Sequence, residues 1–297
     1  MLKDFTIPIS FSLTRKGKVL LLLKEGYEDR LLQKGIEDPE NLAKRSSEVT
    51  FRLGGRKPHP SIPIGDGRRV VLRSYSHGGL FRALTRNLYL FGSRSFRELA
   101  LTEEIRSRGI PTVQPVGAIH RFVFFHLYMA WFLSLEIPHA MDLIQFFQKI
   151  GPHPSPKNLS HKRKIIRSAG ILLRQFHQSG VFHGDLQLKN ILVSGDQLLL
   201  IDFDRSCLRP KLSARERAKN LFRLNRSAEK WRYLGLPVTR RDLWRFFSAY
   251  AEGDLEIREL MRRKLRTYSI RSFFYRFGWA IERILGAKGS RGQACGP

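Results

Sequence analysis

The chain is short of cysteine, of acidic residues and of long apolar runs. Its two cysteines, Cys207 and Cys295, stand far apart and form no metal-ligand spacing. The sequence therefore gives no sign of a disulfide framework, and a reducing compartment such as the cytosol is expected. The longest apolar tract, Phe122 to Leu135, is about 14 residues long and includes His126. A bilayer span needs roughly 20 residues, so the tract is predicted to form buried strands. The opening Met1-Leu2-Lys3-Asp4 lacks a signal-peptide pattern, because the run Val19–Leu23 is too short for an apolar region and Lys24 and Glu25 follow it. There is no internal repeat and no low-complexity block.

The acidic shortage is the largest departure from an ordinary composition. Against 26 Asp and Glu stand 53 Lys and Arg, a formal net charge of +27. From Arg205 to Pro297 there are 23 Lys and Arg against 8 Asp and Glu, so 23 − 8 = +15 lies in that stretch. Such an excess implies an anionic partner surface: nucleic acid, anionic lipid or a phosphorylated glycolipid. With 42% apolar residues in 297 the chain can bury an ordinary core, and its length fits two lobes.

Val19–Leu23 reads as a strand, and Asp38-Pro39-Glu40 starts a turn or short helix. Residues Gly54 to Gly67, rich in Gly, Pro and basic side chains, are predicted as a loop. Arg69-Val70-Val71-Leu72-Arg73 reads as a buried strand with a basic end, closed by the loop Ser76-His77-Gly78-Gly79. Ser95 to Arg108 is helical in pattern, with Ser95 as cap, Glu98 three residues on, and Gly109 and Pro111 as the stop. A second helix over Lys164 to Ser179 carries Ile165, Ile166, Ala169, Leu172, Leu173 and Phe176 on one face, and Gly180 ends it. The runs Ile191–Val193 and Leu198–Ile201 flank Ser194-Gly195-Asp196-Gln197, a hairpin signal. Beyond Asp204 the pattern is mostly helical and basic. A strand-rich first half and a helical second half suit an α+β fold of two lobes with a cleft between them.

The chemistry is concentrated in His183-Gly184-Asp185-Leu186-Gln187-Leu188-Lys189-Asn190 and, after the hairpin, Ile201-Asp202-Phe203-Asp204. Phosphoryl transfer asks a protein for a carboxylate that takes the proton of the attacking hydroxyl and for oxygen ligands that hold magnesium on the phosphates. Asp185 has the character of the first. Asn190 and Asp202 have the character of the second, since hard Mg²⁺ prefers such oxygens. The hairpin returns Asp202 beside the loop carrying Asp185 and Asn190, so three groups converge from a short stretch. His177, just before this loop, reads as a core histidine that orders it.

Here the sequence resembles the protein-kinase superfamily, whose catalytic loop reads H-R-D-L-x-x-x-N and whose metal motif reads D-F-G. His183, Asp185, Leu186 and Asn190 match the first, with Gly184 for Arg. Asp202 and Phe203 match the second, with Asp204 for Gly. The form without Lys two residues after the Asp is similar to small-molecule and atypical kinases. Position 187 is Gln, and Lys189 is the nearest lysine that could reach the transferred phosphate, unless it is a solvated loop charge. The resemblance implies an ATP- and Mg²⁺-dependent bilobal fold in which residues 1–137 form a small β-rich lobe. Within it, 1–50 is an extension of its own and 51–137 holds the nucleotide-clamping strands and helix. Residues 138–297 form the larger helical lobe with catalytic loop, metal motif and basic tail. Arg73 then stands where the Lys of V-A-I-K stands, able to grip phosphate oxygens bidentately. Glu98 is its natural partner, or else a capping-box residue with Ser95. Gly54 and Gly55 are either the remnant of a glycine-rich loop or a plain turn, and Glu136 and Ile137 fall where a hinge would meet adenine.

Several segments resemble more closely the Kdo kinase and lipopolysaccharide core kinase family. They include Val70-Val71-Leu72-Arg73-Ser74-Tyr75, Phe96-Arg97-Glu98, Gly109-Ile110-Pro111-Thr112, the two motif blocks and Asn220-Leu221-Phe222-Arg223-Leu224-Asn225-Arg226-Ser227. This implies phosphorylation of a Kdo or heptose hydroxyl of the bacterial lipopolysaccharide inner core, at the cytoplasmic face of the inner membrane. The expected partner is a lipopolysaccharide precursor or other anionic glycolipid. Arg82, Arg86 and Arg94 are candidates to face it, or are a solvated helix face. The stripe Phe273, Phe274, Phe277, Ile281, Ile284 and Leu285 either lies on an anionic membrane or packs on the larger lobe. No nucleic-acid partner is expected, for want of an RNA-binding strand motif or zinc spacing. Two readings stay beside this one: an atypical kinase acting on a protein or small molecule, and a basic pseudokinase that only binds.

Overall fold

The computed structural model describes residues 5–45, 50–54, 57–76, 87–90 and 92–266. The loop after Ser76 with Arg82 and Arg86, Gly55, and the apolar stripe from Phe273 to Leu285 lie outside the described residues.

The chain opens with a hairpin of β1 (Phe11–Lys16) and β2 (Val19–Lys24), then α1 (Glu28–Gln33) and α2 (Pro39–Arg45). β3 (Thr50–Gly54), β4 (Lys57–Gly65), β5 (Arg68–Ser74) and β6 (Tyr89–Leu90) precede α3 (Arg94–Ser107), and β7 (Pro115–Phe124) and β8 (Leu127–Leu135) follow it. These eight strands form one antiparallel sheet in the order β1-β2-β7-β8-β5-β4-β3, with β6 also pairing β8. The first 50 residues thus extend the sheet along β7 and cover part of it.

Both faces of the sheet are buried. On one, Leu21, Leu23, Ile62, Val70, Leu72, Trp131 and Leu133 pack against Tyr27, Leu31 and Ile36. On the other, Leu22, Ala118, Ala130 and Phe132 pack against Phe96 and Leu99 of α3. Burial on both faces is why β2 reads Val-Leu-Leu-Leu-Leu without alternation.

The predicted loop from Gly54 to Gly67 is instead strand β4, which ends at a β-bulge between Pro63 and Gly65. Its prolines misled because a proline usually breaks a central ladder. Pro58 and Pro60 are two residues apart, so their missing donors fall on one side, and pairing to β5 begins only at Ser61.

The second half is built on helices. β9 (Met141–Asp142) leads into α4 (Leu143–Ile150), where Asp142 caps the helix by accepting from Gln145 N at 2.9 Å. α5 (Pro156–Gln178) starts earlier than its apolar stripe, at a Ser155 cap with Pro156 in the first turn. β10 (Val181–Phe182) pairs β13 (Cys207–Leu208), and between them β11 (Ile191–Ser194) and β12 (Gln197–Leu200) make the expected hairpin. α6 (Ala214–Tyr233), α7 (Arg240–Tyr250) and a helix over 255–266 complete the described chain. A core of Ile165, Leu173, Phe176, Leu186, Ile191, Phe203 and Leu221 holds this half together. No helix among the described residues is long and apolar enough to cross a membrane.

Candidate active site

The site lies where the sheet's α3 face meets the loop between β10 and β11. Arg73, near the end of β5, reaches across and donates from Nη1 to Asp202 Oδ1 at 2.9 Å and from Nη2 to Glu98 of α3. The guanidinium also sits 4.8 Å from the centroid of the Tyr75 ring. Burial alone would make Arg73 easier to deprotonate, but Glu98, Tyr75 and Asp202 outweigh it and hold the guanidinium firmly charged.

Glu98 is the hub. Its side chain is 1% exposed, and it accepts from Arg73, from the Tyr75 hydroxyl and from the backbone N–H of Phe203 at 3.1 Å. Burial pushes its carboxyl above the ordinary range, with the Arg73 charge opposing. The capping-box alternative with Ser95 is excluded. The residue at the helix N-cap is Ser93, which makes no side-chain capping bond, and the Ser95 hydroxyl is buried without a partner among the described residues.

Asp202 adopts φ +68°, a left-handed conformation that a residue other than glycine holds only when its surroundings enforce it. The enforcement is visible on both sides. Phe203 is buried against Phe176 and His183 at ring-centroid distances of 5.9 and 5.4 Å. Asp204 is gripped by both Nε and Nη2 of Arg94, whose guanidinium lies over Tyr89 and Tyr75. Arg94, a candidate for the acceptor from sequence, is therefore engaged in fixing the metal-motif loop. Burial raises the Asp202 carboxyl, but Arg73, followed by Lys189 and other cations, prevails and keeps it below the usual carboxylate range.

On the facing loop, Asp185 accepts from Gln187 Nε2 at 2.7 Å and from Arg223 Nη1 at 3.2 Å. Arg223 also donates to the carbonyl of Gly184. Asn190 donates from its amide nitrogen to Asp185 O at 2.8 Å, which leaves its amide oxygen as the atom to meet a cation. Lys189 makes no ion pair among the described residues, and its charge is felt at Asp202, Asp142 and His59.

Gly184 explains the departure from the kinase pattern. A Cβ there would stand 2.0 Å from the backbone oxygen of Arg205, so the catalytic and metal-motif loops close tightly only over glycine.

The other nucleotide-site candidates are more dispersed. Gly54 ends β3 opposite Lys57. Glu136 spends its N–H on Arg69 O at 2.8 Å and its carboxylate on the Ser61 hydroxyl, so neither of these groups is left to meet a base. Ile137 accepts from Ala140 N at 3.3 Å in the turn that follows.

Beneath the loop lies a buried network that the sequence did not single out as such. Asn220 accepts from His183 N at 3.0 Å and donates to His183 O at 2.8 Å. Its oxygen also lies 3.1 Å from His177 Nε2, while His177 Nδ1 lies 2.7 Å from the Tyr250 hydroxyl. Because Asn220 Oδ1 is an acceptor, His177 carries its proton on Nε2 and accepts from Tyr250, which fixes a neutral imidazole. His177 thus orders the loop from below and does not reach the cleft.

Burial pushes His177 and His120 down to about 3, and also lowers His183. An imidazole with a folded value below its unfolded value near ~6.5 is protonated first in the unfolded chain. Stability from it is therefore complete above that value and is lost as pH falls toward the folded value, at up to about 1.4 kcal/mol per pH unit for each group. The unfolding midpoint is expected to fall steadily from pH 6.5 to pH 4. His120 is stacked between Phe96 and Tyr128 at 3.9 and 4.3 Å, so His120→Phe should give a shallower fall. An equal slope in that variant would refute its share.

A sheet with a helix packed on the face toward a helical half, with a cation–carboxylate bridge and a carboxylate–amide loop between them, is the architecture of the protein-kinase-like phosphotransferases. Within that class, the model of the "Lipopolysaccharide kinase (Kdo/WaaP) family" matches residues 61–250, and the chain belongs to this family. It is 34% identical over 172 residues to 3-deoxy-D-manno-octulosonic acid kinase of Pasteurella multocida (strain Pm70), covering 55% of this chain and 67% of that one. The enzyme of the same name from Xanthomonas campestris pv. campestris (strain B100) is 30% identical over 203 residues, covering 67% of this chain and 76% of the relative. Among solved structures, WaaP in complex with acyl carrier protein superposes with a TM-score of 0.54 at 23% identity, over 86% of this chain and 98% of that one. That last likeness concerns the fold.

Proposed function

We infer that this chain is an ATP- and magnesium-dependent kinase that phosphorylates a sugar hydroxyl of the lipopolysaccharide inner core, with Kdo as the acceptor and heptose as the second reading. The observation that carries the mechanism is the convergence of Arg73, Glu98 and Asp202 from three separate elements opposite Asp185 and Asn190. The 30–34% identity to proteins named 3-deoxy-D-manno-octulosonic acid kinase favours Kdo.

In this reading Asp185 accepts the proton of the attacking sugar hydroxyl. Gln187 and Arg223 orient its carboxylate and Arg223 shields its charge. The oxygens of Asn190 and Asp202 suit Mg²⁺, a hard cation that takes its remaining ligands from phosphate and water. Arg73, held by Glu98, grips phosphate oxygens, and Lys189 meets the transferred group. Bound Mg–ATP supplies the phosphoryl group and neutralises its developing charge. The Glu136 carbonyl and Ile137 line the adenine end, with Gly54 above the phosphates.

The net charge of +27 favours an anionic glycolipid acceptor met at the cytoplasmic face of an inner membrane. The test is transfer of label from γ-labelled ATP to Kdo-terminated and to heptosylated lipid A precursors, presented in anionic and in neutral vesicles. Label in the Kdo acceptor, faster in anionic vesicles and slowed by salt, is expected. Label confined to the heptosylated acceptor would select heptose. Mutant-sensitive transfer only to a protein or small molecule would discard the glycolipid, and a rate indifferent to vesicle charge would discard the membrane contact.

A further inference from the structure

Among the described residues the roof over the phosphates offers one glycine: Gly54 ends β3, and β4 carries Pro58 and Pro60 soon after. What this roof does carry is His59 of β4. β4 runs antiparallel to β5 with Ser61 opposite Val71 and Ile62 opposite Val70. The β4–β5 ladder stops at that Ser61–Val71 pair, and His59 lies two residues beyond it on β4, as Arg73 lies two residues beyond Val71 on β5. Side chains two apart on a strand share a face, so His59 projects with Ser61 and Val71 from the face of Arg73, the one that meets Asp202.

The electrostatics agree with that placement. The imidazole is held down to about 4, first by burial, then by the charges of Arg73 and Lys189, with Asp202 opposing. Those three groups come from β5, the catalytic loop and the metal-motif loop, and they enclose the space assigned above to the phosphates. His59 differs from the chain's structural histidines. His177 has a partner on both ring nitrogens, and His120 is sandwiched between two aromatic rings. His59 is half-buried among two cations and a carboxylate and makes no hydrogen bond among the described residues. A neutral imidazole keeps one N–H to donate, and phosphate oxygen is the acceptor these surroundings attract.

We propose that His59 is a phosphate-binding residue of this cleft, donating its imidazole N–H to an oxygen at the β,γ end of the nucleotide beside Arg73 and Lys189. This rests on the reading of the cleft as a nucleoside triphosphate site. The assignment gives β4 the task that backbone amides of a full glycine loop perform elsewhere.

The experiment is calorimetric titration of wild type, His59→Ala and His59→Gln with Mg–ATP and with AMP, which keeps the base, the ribose and one phosphate. A hydrogen bond to a charged group is lost in His59→Ala, so Mg–ATP affinity should fall about tenfold while AMP affinity and the unfolding midpoint stay at wild-type values. His59→Gln, which restores an N–H donor, should recover most of the loss. Unchanged Mg–ATP affinity in His59→Ala, or equal weakening of Mg–ATP and AMP, would overturn the assignment while leaving the nucleotide site intact. Absence of Mg–ATP binding by folded wild type would instead remove the nucleotide site and this role with it.

Discussion

Asp185→Ala is expected to lower the phosphoryl-transfer rate by about two to four orders of magnitude, the range of a lost general base, with Mg–ATP affinity within about twofold of wild type. The split follows from where the groups sit. Asp185 is tied to Gln187 and Arg223 on the acceptor side of the loop. The proposed grips on the nucleotide belong to Arg73, Asn190 and Asp202, which the substitution leaves in place. Asn190 is positioned by the backbone oxygen of residue 185, which alanine retains. Single-turnover transfer and nucleotide titration on the same preparation separate the two quantities. A rate near wild type would remove Asp185 from the chemistry, and a matching loss of nucleotide binding would make its role structural.

Gly184→Arg, which would restore the common kinase motif, is expected to damage the enzyme. A Cβ at 184 meets the backbone oxygen of Arg205 at 2.0 Å and its carbonyl carbon at 2.3 Å. Backbone cannot swing aside as a flexible side chain can, so the segment after Asp204 must move. That segment also supplies the Ser206 hydroxyl that accepts from Gly184 N at 3.1 Å. Overpacking of this kind costs about 1–3 kcal/mol or more, roughly 1–2 °C of unfolding midpoint per kcal/mol in a chain of 297 residues. Because the clash begins at Cβ, Gly184→Ala should show most of the loss. Thermal unfolding of both variants decides it: wild-type midpoints with wild-type rates would mean that the two loops are not packed as described.

The catalytic loop and metal motif were legible because Asp185, Asn190 and Asp202 lie close in sequence and the intervening hairpin is written in apolar runs around Ser194-Gly195. Arg73 and Glu98 were legible as strand-end and helix positions, and the choice between clamp and cap needed the third dimension. Ser95 has the composition of a cap, yet the helix begins one residue earlier, and Glu98 turns inward to Arg73, Tyr75 and Phe203. Long-range partners left no local signal at all. Arg223 reaches Asp185 across 38 residues, and Arg94 reaches Asp204 across 110. Asn220 was visible only within a family-like segment, and nothing local announced that it would bridge His177 and His183. The segment after Gly54 was misread for a different reason: proline content outweighed a pairing pattern that depends on which side of the strand lacks donors. The first 50 residues gave their strand but not its place, since pairing of β2 to β7 is settled by a contact about 100 residues away, Leu20 opposite His120.

The measurement that tests the central claim most directly is transfer of γ-label from ATP to a Kdo-terminated lipid A precursor by the wild-type protein, with magnesium present and with magnesium chelated. Label in the glycolipid that disappears on chelation, returns when magnesium is restored and is absent in Asp202→Ala is the predicted result. Transfer that persists without a divalent cation, or a folded protein that neither binds Mg–ATP nor labels any acceptor, would contradict the account.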